Sequence, residues 1–99
     1  MLLHLTRLKY IGKYSLQVTF NNGAIKNIDL SEELDGEIFE PLKNIELFRQ
    51  AKLNPETKTV EWPNGADFAP EFLYEIGQTE EAFQEQQRMW YPSVQPLAA

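Results

Sequence analysis

The sequence predicts an α+β domain: a small antiparallel sheet of two hairpin-connected units, with short helices and a C-terminal helical extension. Three observations predict it. Tyr14, Leu16, Val18 and Phe20 alternate with Ser15, Gln17 and Thr19, the period of a strand with one buried face. Asn21-Asn22-Gly23 and Asn54-Pro55-Glu56-Thr57 supply the turn residues that close two hairpins. Phe72, Leu73 and Ile76 recur at helical spacing behind Pro70, a residue suited to a first helical turn because its missing amide would be unpaired there anyway.

Taken in order, residues 2–10 form a first strand whose apolar phase changes between Leu3/Leu5 and Leu8/Tyr10, so a bulge is expected near Thr6-Arg7. Residues 14–20 form the second strand. A two-residue loop at Asn22-Gly23 would set polar residues opposite Leu16 and Val18. A three-residue loop, Asn21 and Asn22 followed by a left-handed Gly23, instead opposes Leu16 to Ile28 and Tyr14 to Leu30 and is preferred. The third strand then covers residues 24–30, with Lys26 as the polar interruption on its inner face. Ser31 can cap a short turn ended by Gly36, and Ile38, Phe39 and Leu42 are expected to plug one end of the sheet. Residues 44–50 carry Ile45, Leu47 and Phe48 on a brief helix. Ala51 and Leu53 begin a fourth strand, and residues 59–62 form a fifth that Pro63 stops.

Past Asn64-Gly65, Asp67 is placed to accept from the Ala69 amide as an Asx turn. A helix starts near Ala69 or Pro70 with Glu71 in its first turn, and Gly77 is expected to stop it in the left-handed conformation. The character then changes. Thr79 can cap a second helix that has Glu80 and Glu81 early, Arg88 late and a narrow stripe of Ala82, Phe83, Met89 and Trp90. Such a helix is marginal alone in water and should dock, on its own core or on another subunit. With Pro92 and Pro96, residues 91–99 read as an extended tail. The organisation is thus a domain over residues 1–77 and a helix with a tail over residues 78–99.

Ninety-nine residues suit one domain, and at this size folding buries roughly 65% of the unfolded chain's surface. The absence of cysteine removes disulfides, thiolate nucleophiles and zinc-thiolate sites. The N-terminus has no apolar run of signal-peptide or membrane-span length, so a cytoplasmic, membrane-free protein is expected. The net charge of −6 is unevenly placed: residues 1–30 hold four basic side chains and one acid, residues 31–99 five basic and fourteen acidic. On that balance autonomous nucleic-acid binding is disfavoured and a small basic protein partner is expected.

Asp67 and Glu71 are the nearest approach to an acid–base or cation site, and a metal-dependent enzyme built on them is the alternative reading. Packing roles weigh more, since Asp67 can tie down a turn and Glu71 suits a helix start. His4 is the lone histidine, and Ser15, Ser31 and Ser93 lie in no nucleophile-elbow context. No catalytic residue, metal ligand or cofactor is assigned.

The stretch W-P-N-G-A-D-F-A-P-E-F-L-Y over residues 62–74, together with F-N-N-G at residues 20–23, Asp29-Leu30 and F-E-P-L at residues 39–42, resembles a family of small bacterial domains of unknown function. The resemblance runs over residues 3–77. It implies a compact α+β domain, found alone or joined to a helix-turn-helix and often encoded beside another small protein in the manner of toxin–antitoxin pairs. No catalytic residues carry over from it. A non-enzymatic interaction or regulatory domain, antitoxin-like in role, is therefore expected. Its candidate partner surface is Trp62, Asp67, Glu71 and Tyr74, because Trp and Tyr are common interface anchors. Phe83, Met89 and Trp90 are the candidate contacts of a possible homodimer formed through the terminal helix.

Overall fold

The alternation over residues 14–20 folds as expected. β1 (Leu5–Gly12), β2 (Ser15–Phe20) and β3 (Ile25–Asp29) make an antiparallel sheet in the order β1-β2-β3. The computed structural model describes residues 2–90, the last four in backbone only. Leu16 stands opposite Ile28, and Leu30 donates its amide to the Tyr14 carbonyl, the register required by a three-residue loop. Gly23 takes φ of +90°, and the Phe20 amide closes the loop on the Ala24 carbonyl at 2.8 Å. In β1 the pairing shifts between Leu5 and Arg7, which is the bulge that the phase change demanded.

The second hairpin, β4 (Lys52–Leu53) and β5 (Val60–Glu61), forms its own two-stranded sheet, and β4 packs beside β1. A 3-10 turn over Glu40–Lys43 leads into α1 (Ile45–Phe48), whose cap is the Asn44 side chain accepting from the Glu46 amide. α2 is Pro70–Ile76, starting behind Ala69 as the proline predicts. α3 is Glu80–Trp90, with Thr79 Oγ1 accepting from the Ala82 amide, and it rests against β3.

The core lies on the inner face of the three-stranded sheet. Leu16, Val18 and Ile28 are fully buried there beneath Leu34, Leu42, Phe48, Val60, Trp62 and Leu73. Beside it the Phe39 and Phe68 rings stack at 4.7 Å, and those of Phe68 and Phe72 at 5.6 Å.

Several local expectations change. Gly77 is extended, with φ −67° and ψ 150°, so handedness is not what requires glycine there. A Cβ at that position would meet the Leu73 carbonyl and the Lys26 Cβ, each at 2.8 Å, so the constraint is space. Lys26, the interruption on the inner face, folds over α2: its Nζ donates to the Tyr74 carbonyl at 2.8 Å and sits 3.8 Å from the Tyr74 ring centroid. A cation thereby meets the negative end of a helix and an aromatic face together.

The loop between β4 and β5 is also longer than a type I turn. Asn54 Oδ1 accepts from Glu56 and Thr57, and the chain closes through a left-handed Lys58, φ 59°. Asp67 pairs with Glu61 as an isolated β-bridge. Leu42 and Phe39 plug the sheet end, but Ile38 is 46% exposed and Ile45 39% exposed, because short segments cannot turn every apolar side chain inward.

Candidate functional site

Strand alternation sends Leu16 and Val18 inward, so Gln17 and Thr19 face the other way. The register places Lys9 opposite Gln17 and Arg7 opposite Thr19. The bulge between Leu5 and Arg7 keeps Arg7 and Lys9 in phase on that outer face. Two residues apart on one strand, they lie roughly 7 Å from each other along it. β4 comes alongside β1 and adds Lys52. These five side chains, with Leu8, Ile25, Ala51 and Leu53, line an open groove that carries three cations and no acid.

What sets this groove apart is that three cations converge on it. Elsewhere Lys26 is tied to Tyr74, Lys43 pairs with Glu40 at 3.3 Å and Arg49 with Glu46 at 3.6 Å, and exposed Lys58 stands in the β4–β5 loop outside the groove. Among the described residues Arg7, Lys9 and Lys52 enter no ion pair, and all three are exposed. α3 packs against β3 at Asn27, while Ile25 of the same strand stays 57% exposed in the groove. Asn27 and Gln78 exchange backbone hydrogen bonds of 2.8 and 2.9 Å, and Asn27 Nδ2 donates to Glu80 Oε2. Gln84 Nε2 donates to the other Glu80 oxygen at 3.0 Å, and these two bonds, Gln84 first, hold the Glu80 carboxyl below its ordinary pKa. The open part of the outer face is therefore the β1–β2 ribbon and its β4 margin.

The residues singled out in the sequence are not one surface. Trp62 is 2% exposed, and its Nε1 donates to the Phe48 carbonyl at 2.7 Å, so it belongs to the core. Asp67 and Glu71 are exposed, Glu71 in the first turn of α2. Tyr74 is half-buried, edge-on to Phe20 at 5.0 Å and covered by Lys26. Phe83 is 9% exposed within its own chain, while the side chains of Met89 and Trp90 lie outside the described residues. Among the described residues no three His, Asp or Glu side chains gather to hold a metal ion, which leaves Asp67 and Glu71 without a third ligand. Nor is any described helix long and apolar enough to cross a membrane.

What the sequence reading missed is Arg7, Lys9 and Lys52. Arg7 and Lys9 were legible as the wet face of a strand. Lys52 was not, because it reaches the groove through the packing of β4 on β1.

The model of a family described as "Protein of unknown function (DUF2442)" matches residues 5–79, ending where α3 begins. Among solved structures the fold is similar to that of a Nitrosomonas europaea protein described as a "Putative DNA Binding Protein". The TM-score is 0.68 at 22% identity, covering 82% of this chain and 52% of that one. The chain thus spans about half the length of that relative. No curated protein matches it. The likeness overturns the expectation that a chain of this kind stands apart from nucleic acid. The expectation of a small basic protein partner came from the same charge argument and is withdrawn with it. Net charge misled because acids and paired cations elsewhere in the chain hide a local group of unpaired ones.

Proposed function

The chain is a member of the DUF2442 family of proteins of unknown function, and we propose that it is a non-enzymatic regulatory domain that works in association with DNA. The observation that carries this reading is the segregation of charge. In a chain of net charge −6, Arg7, Lys9 and Lys52 converge unpaired on one groove that contains no acid. Surfaces of one sign bind partners of the other, and a polyanion is the partner that rewards several cations at once. The fold shared with half of a longer putative DNA binding protein supports the same reading.

Within it, Asp67 and Glu71, exposed beside half-buried Phe68 and Phe72, form a second contact surface for a protein of the same assembly. An antitoxin-like regulator is one form that such a domain takes. The test is formaldehyde crosslinking in the native cell followed by recovery of the tagged chain. Discrete DNA regions should be enriched over an untagged control, whether the contact is direct or made through another protein. Recovery of no DNA above that control would remove the reading.

A further inference from the structure

The geometry points to the outer face of the β1–β2 ribbon as a direct DNA-reading surface that enters the major groove, an inference that rests on the DNA-associated reading above and names the residues in contact. The major groove of B-DNA is about 12 Å wide and admits a two-stranded β-ribbon. α3 packs on β3 at Asn27, and the outer faces of β1 and β2 remain open, with Ile25 at the near end of β3 beside them. They present two cross-strand pairs, Arg7 with Thr19 and Lys9 with Gln17.

Those side-chain types are the ones that read base edges. Arg and Lys donate to guanine O6 and N7, Gln bonds adenine bidentately, and Thr meets either a hydrogen-bonding edge or the thymine methyl. Lys52, on the β4 margin, is placed to hold a phosphate of the strand that borders the groove. The exposed carboxylates early in α3, Glu80 and Glu81, repel phosphate on the opposite side and so set the ribbon's orientation. The outer face carries no aromatic platform on these strands, as stacking of single strands would need.

Fluorescence anisotropy of the purified full chain with a labelled mixed-sequence 24-base-pair duplex tests this. Three neutralised phosphates give a slope of about −2.7 in log K against log salt, so raising salt from 50 to 200 mM should weaken binding about 40-fold. The Arg7→Glu/Lys9→Glu variant should lose binding while keeping the parent's amide spectrum, and Lys43→Glu, at a cation already paired, should bind like the parent. Gln17→Ala/Thr19→Ala should keep the salt slope but flatten any preference among selected duplexes. Absence of salt-dependent binding by the parent overturns the inference, as does a charge-reversed variant that binds unchanged. Equal competition by an A-form RNA duplex also overturns it, since that would make the groove a general polyanion surface. If DNA is still recovered from cells expressing Arg7→Glu/Lys9→Glu, the regulatory reading survives through a partner and this ribbon assignment alone falls.

Discussion

The two faces of the three-stranded sheet obey different rules. The inner face is a packing surface: Leu16, Val18 and Ile28 have no exposure, and neighbouring elements converge on them. The outer face mixes Arg7, Lys9, Gln17, Thr19 and Asn27. Where it is covered, by α3, the seam is polar, with Asn27 Oδ1 and Gln78 Oε1 buried and without partners among the described residues. One strand therefore carries two independent specifications on alternate residues. The inner one holds the fold, and the outer one is free to be used.

The sharpest way to break the comparison is to truncate both faces of one strand. Leu16→Ala should cost about 3 kcal/mol in urea unfolding, as a fully buried leucine leaves a cavity that its neighbours only partly fill. Gln17→Ala, the next residue, should stay within about 0.5 kcal/mol. Equal losses would show that the outer face is structural too.

A smaller effect is expected at the junction of β3 and α2. Gly77→Ala should destabilise by about 2 kcal/mol, because the new methyl meets a backbone carbonyl that cannot swing away. Lys26→Ala should lower stability by about 1 kcal/mol through loss of the bond to Tyr74. The double variant should cost somewhat less than the two single losses together, since the contact with the Lys26 Cδ at 2.9 Å disappears, while those with the Leu73 carbonyl and the Cβ of residue 26 remain.

The smallest effect belongs to the polar seam. Glu80 is held below its ordinary pKa, so its ionised form is favoured in the folded state. Its contribution is present above the ordinary value of 4.5 and is lost as the pH falls through the lower folded value. The Asn27 side-chain amide signal should therefore move on acidification below pH 4.5 in the parent but not in Glu80→Gln. A parent signal that stayed fixed to the acid limit would show that the Glu80 bond does not hold α3 in solution.

Legibility followed the same division. Alternation and loop length sufficed for the inner face, the register of Leu16 on Ile28, the bulge in β1 and the cap at Thr79, because each is local or has period two. The Trp62 side chain could not be assigned from sequence, since a tryptophan at a strand end suits core or surface equally. Its bond to the Phe48 carbonyl, fourteen residues away, decides for the core. Gly77 is legible as constrained but not for the right cause, as the approach of Lys26 comes from β3, far earlier in the chain. The groove was hidden for that reason as well: counting charge along the chain assigns Lys52 to the acidic half, whereas folding carries it to Arg7 and Lys9.

The bridge between Asn27 and Gln78 has a consequence for aggregation. It occupies the middle of the free edge of β3, so that a second molecule could not extend the sheet on that side without displacing it. The edge of β1 is guarded differently, by the bulge after Leu5, by the Leu5 amide bound to the Lys58 carbonyl at 2.8 Å, and by the charges of Arg7 and Lys9. Neutral replacements at those two positions would strip that guard and invite edge-to-edge association in concentrated samples. Reversal of charge keeps the edge repulsive while abolishing its attraction for phosphate.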